Sequence, residues 1–327
     1  MAVVRWGVIG TGRIGLNKTI PAMQKGQHSV VSAIASRDAA KAAEAARPLG
    51  IPKAYGSYEA LLADPDIDAV YLALPNHLHV PVSIQALQAG KHVLCEKPIG
   101  LDTKDAERLV EAAAEYPDLK VMEAFMYRHH PQWVRARQAV TDGEIGRVRA
   151  IHSMFSYHNV DPTNIRNQKD VGGGGLMDVG CYNVSLSRFV FQAEPSRVLA
   201  MAEFDPVFRT DTLMSGVLDF EVGQSLFTCS TQLVPFQRVV ILGTDGSIEI
   251  EIPFNAPPDA PHAMWLQRGN DVVALTVGPH DQYTIQGDLF SLAILNDTPV
   301  PTPLSDALAN MRVIDRLFKS AATGTWA

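Results

Sequence analysis

Residues 3–9 form an apolar, strand-like run that passes directly into Gly10-Thr11-Gly12-Arg13-Ile14-Gly15, and residues 17–23 then read as a helix ending before Gly26. Strand, glycine turn and helix in that order make a phosphate-binding βα unit. Gly10 permits the tight turn, Gly12 lets backbone approach a pyrophosphate, and Gly15 lets helix and strand pack closely. The helix N-terminus adds N–H donors and a positive dipole, and Thr11, Arg13 and Ile14 share the turn with its ligand. A flexible loop would account for the glycines alone, but not for their place between a strand and a helix.

The alternation continues. Runs 29–35, 68–74, 91–95 and 119–122 read as buried strands, and helical segments lie between them, up to Arg47, over 58–62 and over 80–89. Behind Asp102, a capping residue, Ala106, Leu109, Val110 and Ala113 fall at i, i+3, i+4 and i+7. Such repetition predicts a doubly wound parallel sheet with right-handed crossovers, a Rossmann domain over residues 1–124. At its carboxyl edge, where an NAD site places a carboxylate on the ribose, the chain has Ser36-Arg37. A hydroxyl beside a guanidinium suits a 2′-phosphate, so NADP(H) is expected, with NAD(H) the alternative because Asp38 stands one residue on. Asp38 could equally cap the Ala-rich helix that follows. Leu74, Asn76 and His79 lie at the same edge and are expected to border the dinucleotide. Residues 93–98 end in Glu96-Lys97-Pro98, charges delivered by a buried strand to the crevice where ligands sit in open α/β sheets. Taken alone, Glu96 and Lys97 would read as solvated loop charges.

After residue 124 the pattern changes. A helix over 131–140 is followed by strand-like runs 148–157, 198–204, 213–220, 225–233, 239–242 and 247–252 with little but turns between them. The expected result is an open, mostly antiparallel sheet with helices on one face, so that the chain is α/β plus α+β, with an α+β domain over 125–327 for substrate and assembly. Asp245-Gly246 marks a hairpin, four prolines make 253–261 an extended loop, and late helices over 283–295 and 305–322 are expected to pack back on the first domain. Within this half, Gly172 to Gly175 cannot build a helix interior but can let backbone pass close to a ligand before a helix starts. In that helix Asp178 and Tyr182, four apart, share a face. Local hydrogen bonding would explain them equally well in isolation.

Composition limits the partners. A chain of 327 residues with 46% hydrophobic and 19% charged residues is globular, and a net charge of −7 argues against nucleic acid or an anionic membrane. No apolar run approaches a membrane span and no leader pattern opens the chain, which predicts a cytoplasmic protein. Cys95, Cys181 and Cys229 lack close spacing, and no metal is expected. A small molecule remains as the partner.

Gly10 to Gly15, Glu96-Lys97-Pro98, Met126-Tyr127-Arg128-His129-His130-Pro131 and the Gly172 to Tyr182 run resemble, in order and spacing, the glucose-fructose oxidoreductase, inositol dehydrogenase and rhizopine-catabolism (Gfo/Idh/MocA) oxidoreductase family. The resemblance covers nearly the whole chain. It implies that Lys97 contacts nicotinamide and substrate, that Glu96 borders the cofactor, and that Lys97, Asp178 and Tyr182 are catalytic. Many members carry His at the position of Tyr182. Tyr there is similar to the subgroup of glucose-fructose oxidoreductase, dimeric dihydrodiol dehydrogenase and NADP-dependent xylose dehydrogenase, in which Tyr transfers the proton. The implied activity is hydride transfer between NADP and a pyranose such as xylose or glucose at C1. Its alternatives are trans-dihydrodiol oxidation, keto-sugar reduction, and a non-catalytic NADP(H) sensor. A phenol of pKa about 10 needs a nearby cation to act as base, and Lys97 is the one the sequence offers. His130, Tyr157 and Arg166 are candidates for the substrate pocket. Relatives associate through the second sheet, which implies a homodimer or higher homo-oligomer.

Overall fold

A computed structural model describes residues 2–327. The chain divides into two compact units, one made of the residues up to Met126 with Tyr283–Leu308, the other of Tyr127–Gln282 with Ala309–Ala327.

In the first unit, strands β1 (Val4–Ile9), β2 (Ser29–Ala35), β3 (Lys53–Tyr55), β4 (Ala69–Leu72), β5 (His92–Cys95) and β6 (Val121–Glu123) lie in the order β3-β2-β1-β4-β5-β6. Every neighbouring pair is parallel. Strands buried on both faces need continuous apolar runs, and β4 is buried at all four positions. Only β3 escapes a reading from sequence, because three residues, two of them polar, carry no alternation. The strand order reverses direction between β1 and β4, the point at which such sheets open a ligand crevice at their carboxyl ends. Helix Gln282–Leu295 joins this unit from Tyr283 onward. Phe290 packs on Trp6 with ring centroids 5.5 Å apart, and Trp6 Nε1 donates to Ser291 Oγ at 3.1 Å. Both rings are wholly buried, and each such burial is worth about 1.5–3 kcal/mol.

In the second unit, β7 (Val148–His158), β8 (Arg197–Phe204), β9 (Asp211–Phe220), β10 (Gly223–Ser230), β11 (Gln232–Gly243), β12 (Gly246–Ile250), β13 (His262–Arg268) and β14 (Asp271–Val277) form one sheet in the order β14-β13-β12-β11-β7-β10-β9-β8. All pairings are antiparallel except β7 with β10. Strand β11 is longer than its two apolar pieces suggest, because a break in register between Gln232 and Phe236 accommodates Pro235, which has no N–H to give. The turn from β11 to β12 is Thr244-Asp245, one residue earlier than the Asp-Gly signal. The β13–β14 hairpin follows the proline loop and closes at Gly269, whose φ is +58°.

Helix Cys181–Phe191 lies on one face of this sheet. Ser187 Oγ meets Ser225 Oγ at 2.7 Å, Asn183 Nδ2 donates to Ser153 Oγ at 2.8 Å, and Phe191 stacks on Phe220 at 4.4 Å between centroids. The end of helix Leu304–Thr323 reaches the same face, where Ser320 Oγ accepts from Ala200 N at 3.0 Å. Alternation along the strands leaves Met154, Met201 and Leu226 exposed on the opposite face. No helix among the described residues is long and apolar enough to cross a membrane.

Candidate active site

The glycine turn follows from β1 and β4 lying side by side. Gly10 leaves β1 with φ +102°, and a Cβ there would lie 2.5 Å from the carbonyl oxygen of Ala73; at Gly12 the same carbonyl would be 2.9 Å away. Only glycine permits both the left-handed backbone and that approach. From Gly15 the chain makes one wide π turn, Gly15–Thr19, and runs on as helix Ile20–Met23. Arg13 and Ile14 are exposed at its start and Thr11 is half-buried. The cradle therefore fits a pyrophosphate laid over backbone N–H groups at a helix start.

Beside it, Ser36 is buried and Arg37 exposed, and Arg37 makes no hydrogen bond among the described residues. Asp38 is spent on the chain, since its Oδ1 accepts from Ala40 N at 2.9 Å and Lys41 N at 3.3 Å as the cap of helix Ala39–Ala46. The acid that could have served a ribose hydroxyl is a helix cap.

At the end of β5, Glu96 is buried and accepts the Tyr71 hydroxyl at 2.5 Å, and Tyr71 OH also lies 3.0 Å from Thr19 Oγ1. Glu96 thus ties the glycine-turn helix through β4 to β5, a role with no signal in sequence because Thr19, Tyr71 and Glu96 are far apart along the chain. Lys97 follows, half-buried, before a cis bond to Pro98. Leu74 is buried and Asn76 half-buried. His79 was expected to border the cofactor, but it is wholly buried. Its Nδ1 lies 2.7 Å from the Pro98 carbonyl and its Nε2 2.9 Å from that of Leu74. Burial pushes the imidazole down to about 4, against the carbonyls that favour a second proton. His79 fastens the two loops, Leu74 and Pro98, to each other.

In the second unit the glycine run enters a helix whose first turn, Leu176–Gly180, is again π, a feature frequent at functional sites. Gly174 has φ +124°, and a Cβ there would collide with Asp211 Oδ1. Asp211, at the start of β9, accepts the Leu176 N–H at 2.6 Å through Oδ2 and satisfies the first orphan donor of that helix. Burial pushes its carboxyl up to about 6, in spite of N–H groups from Leu176, its own backbone and Gly175. Nothing in the sequence marks Asp211, because its partner is a backbone group in another segment.

Asp178, in that first turn, accepts the Tyr157 hydroxyl at 2.6 Å and Arg166 Nε at 2.8 Å, both on Oδ2. Three predicted site residues from β7, from the loop after it and from the helix therefore meet on one oxygen. Arg166 is also held by its main chain, whose carbonyl accepts Gly174 N at 2.9 Å. Asp178 holds the guanidinium above its ordinary pKa, with Tyr157 and Tyr182 adding to the effect. Burial, then the Asp178 charge, pushes the Tyr157 phenol well above its ordinary range.

Tyr182 is buried among aromatic rings. Its centroid is 5.3 Å from Phe254, 5.6 Å from Phe155 and 5.8 Å from Tyr127. Phe254 lies in the proline-rich loop, whose carbonyls at Ile252, Pro253 and Phe254 receive Gln132, Trp133 and Gln282. That loop forms a fixed wall against Tyr182, which its prolines alone do not predict. His130, a candidate for the substrate pocket, is placed by the helix it starts. It is fully buried, its Nδ1 accepts Gln132 N at 3.3 Å as the cap of helix Pro131–Thr141, and its ring lies 4.9 Å from that of His262. Among the described residues no group of His, Cys, Asp or Glu is arranged to hold a metal.

Comparison with known proteins agrees with this geometry. Residues 4–125 match the family model of the oxidoreductase family with NAD-binding Rossmann fold, and residues 133–249 match the GFO/IDH/MocA C-terminal domain. An uncharacterised oxidoreductase, ORF334, of Rhizobium meliloti is 45% identical over 100% of this chain and 99% of its own. The D-xylose 1-dehydrogenase (NADP(+)) 2 of Haloferax volcanii is 39% identical over 98% of each. KijD10, a 3-ketoreductase from Actinomadura kijaniata solved with NADP and TDP-benzene, superposes with a TM-score of 0.91 at 29% identity, over 97% of this chain and 98% of that one. With both halves matched and the glycine turn, Glu-Lys-Pro and glycine-Asp-Tyr motifs in place, this chain belongs to the GFO/IDH/MocA family of NAD(P)-dependent oxidoreductases acting on CH–OH groups.

Proposed function

We propose that the chain oxidises a pyranose at C1, with xylose or glucose as the type substrate and NADP as the cofactor. The observation that carries this is Tyr182 in its aromatic cage, one turn from an Asp178 fixed by Tyr157 and Arg166. An ordered phenol beside an ordered carboxylate is a device for moving a hydroxyl proton, which a cofactor sensor has no need of. The likeness to a D-xylose 1-dehydrogenase supports the sugar. NADP is preferred because Arg37 is unspent and Asp38 is a cap.

When bound, the cofactor supplies the hydride acceptor. In this reading Tyr182 takes the hydroxyl proton, Asp178 fixes the substrate-side hydrogen bonding, and Lys97 serves the nicotinamide and the substrate. The Thr19–Tyr71–Glu96 chain sets the end of β5 from which Lys97 departs. Keto-sugar reduction is the second reading, favoured by the likeness to a 3-ketoreductase, with Tyr182 giving the proton instead.

A panel of aldoses, trans-dihydrodiols and keto-sugars, followed at the nicotinamide absorbance, tests the proposal. Aldose-dependent NADP reduction is expected, and activity confined to non-carbohydrates would overturn it. Lys97→Met and Tyr182→Phe should still bind NADP yet lose turnover about a hundredfold or more. Undiminished turnover in Lys97→Met would remove that lysine from the mechanism.

We further propose a homodimer joined through the open face of the second sheet, working in the cytoplasm, where three buried, unbridged cysteines suit a reducing medium.

A further inference from the structure

Arg166 uses little of its hydrogen-bonding capacity on its own chain. Its carbonyl is pinned by Gly174 N and its Nε by Asp178 Oδ2, and among the described residues neither Nη1 nor Nη2 has a partner. The side chain is 37% exposed, so the anchored guanidinium retains an open edge. That edge carries several N–H donors in one plane and no acceptor. With Asp178 balancing its charge, the edge is matched to neutral oxygens and not to an anion.

We propose that the terminal amino groups of Arg166 grip two hydroxyls on adjacent carbons of the substrate, one of them on the carbon next to the reacting one, so that Arg166 selects a vicinal polyol over a deoxygenated analogue. The inference rests on the sugar reading above and adds to it the residue that reads the sugar. Arg166 is held at Nε by the carboxylate that also takes Tyr157, so the fork has a fixed direction before substrate arrives. A lysine in its place would keep the charge and lose the planar pair of donors.

The experiment measures kcat/KM for D-glucose and 2-deoxy-D-glucose in wild type, Arg166→Lys and Arg166→Gln, with NADP binding by fluorescence titration and thermal midpoints alongside. Wild type should favour glucose by about tenfold or more, the effect of one charge-assisted hydrogen bond. In both variants that ratio should fall to within about twofold, through a higher KM for glucose, while the Kd for NADP stays put. If Arg166→Gln proves unstable, Arg166→Lys decides, because it retains the cation beside Asp178. A wild type that discriminates equally well after Arg166→Lys overturns the assignment and leaves the sugar reading intact. An enzyme that turns over neither of these sugars nor D-xylose overturns that reading and this inference together.

Discussion

Tyr157 donates its hydroxyl to Asp178 Oδ2 at 2.6 Å, the same oxygen that receives Arg166 Nε at 2.8 Å. Two donors on one oxygen fix the carboxylate's rotation. Tyr157→Phe removes one donor and leaves the ring in place. We expect kcat/KM to fall about tenfold and stability to fall by about 1 kcal/mol. Steady-state kinetics and urea unfolding of the variant check both, and unchanged kinetics would show that Arg166 orients Asp178 unaided.

The cofactor preference depends on a division of labour between neighbours. Asp38 caps helix Ala39–Ala46 and Arg37 is exposed beside buried Ser36. Arg37→Ala should lower the NADP-to-NAD ratio of catalytic efficiencies by about tenfold or more, the loss of a charge-assisted bond. Asp38→Asn retains a capping side chain, so it should move neither stability nor the ratio. A ratio unmoved by Arg37→Ala would dissociate Arg37 from the 2′-phosphate.

What the sequence disclosed and what it withheld differ in range. Gly10, Lys97 and the Asp178–Tyr182 spacing are legible because a turn, a strand end and a helix face are local patterns. The order β3-β2-β1-β4-β5-β6 follows from repeated strand–helix alternation for the same reason. Asp211 and Phe254 are not legible, since one acts on a backbone N–H in a distant segment and the other is positioned by Gln132, Trp133 and Gln282. The contacts of His79 and His130 are not legible either, since one ring ties the Leu74 and Pro98 loops and the other caps a helix. Nor does the apolar run 213–220 say which of its residues face the helices: strand register turns Leu218 and Phe220 to that side, where Phe191 stacks on Phe220.

Asp211 makes a stability prediction with a definite sign. Burial raises its folded pKa to about 6 from an ordinary value of 3.8. Between those values the unfolded chain has lost the proton and the folded chain still holds it, so stability falls as pH rises through the window. The difference amounts to roughly 3 kcal/mol once the folded carboxyl has ionised. Asp211→Asn keeps an acceptor for Leu176 N and cannot ionise. Urea midpoints measured from pH 4 to 7 should show the variant gaining on wild type as pH rises. A constant difference across that range would mean that Asp211 titrates at its ordinary value.

The open face of the second sheet supports the last prediction. Met201 is 79% exposed and Leu226 39%, and they line, with Met154 and Val217, a shallow groove of about 380 Å³ across β7, β10, β9 and β8. Helix Cys181–Phe191 and the end of helix Leu304–Thr323 lie on the other face, so within this unit the C-terminal helix does not cover the apolar side. An apolar patch of this kind calls for a partner, and a two-fold contact needs only one self-complementary surface. We expect light scattering at micromolar concentration to give a multiple of 35.6 kDa. Met201→Glu with Leu226→Glu places like charges at the centre of that contact and should return the mass to 35.6 kDa with the circular dichroism unchanged. A wild type already at the monomer mass, or a double variant that stays assembled, would each rule out this face as the joint.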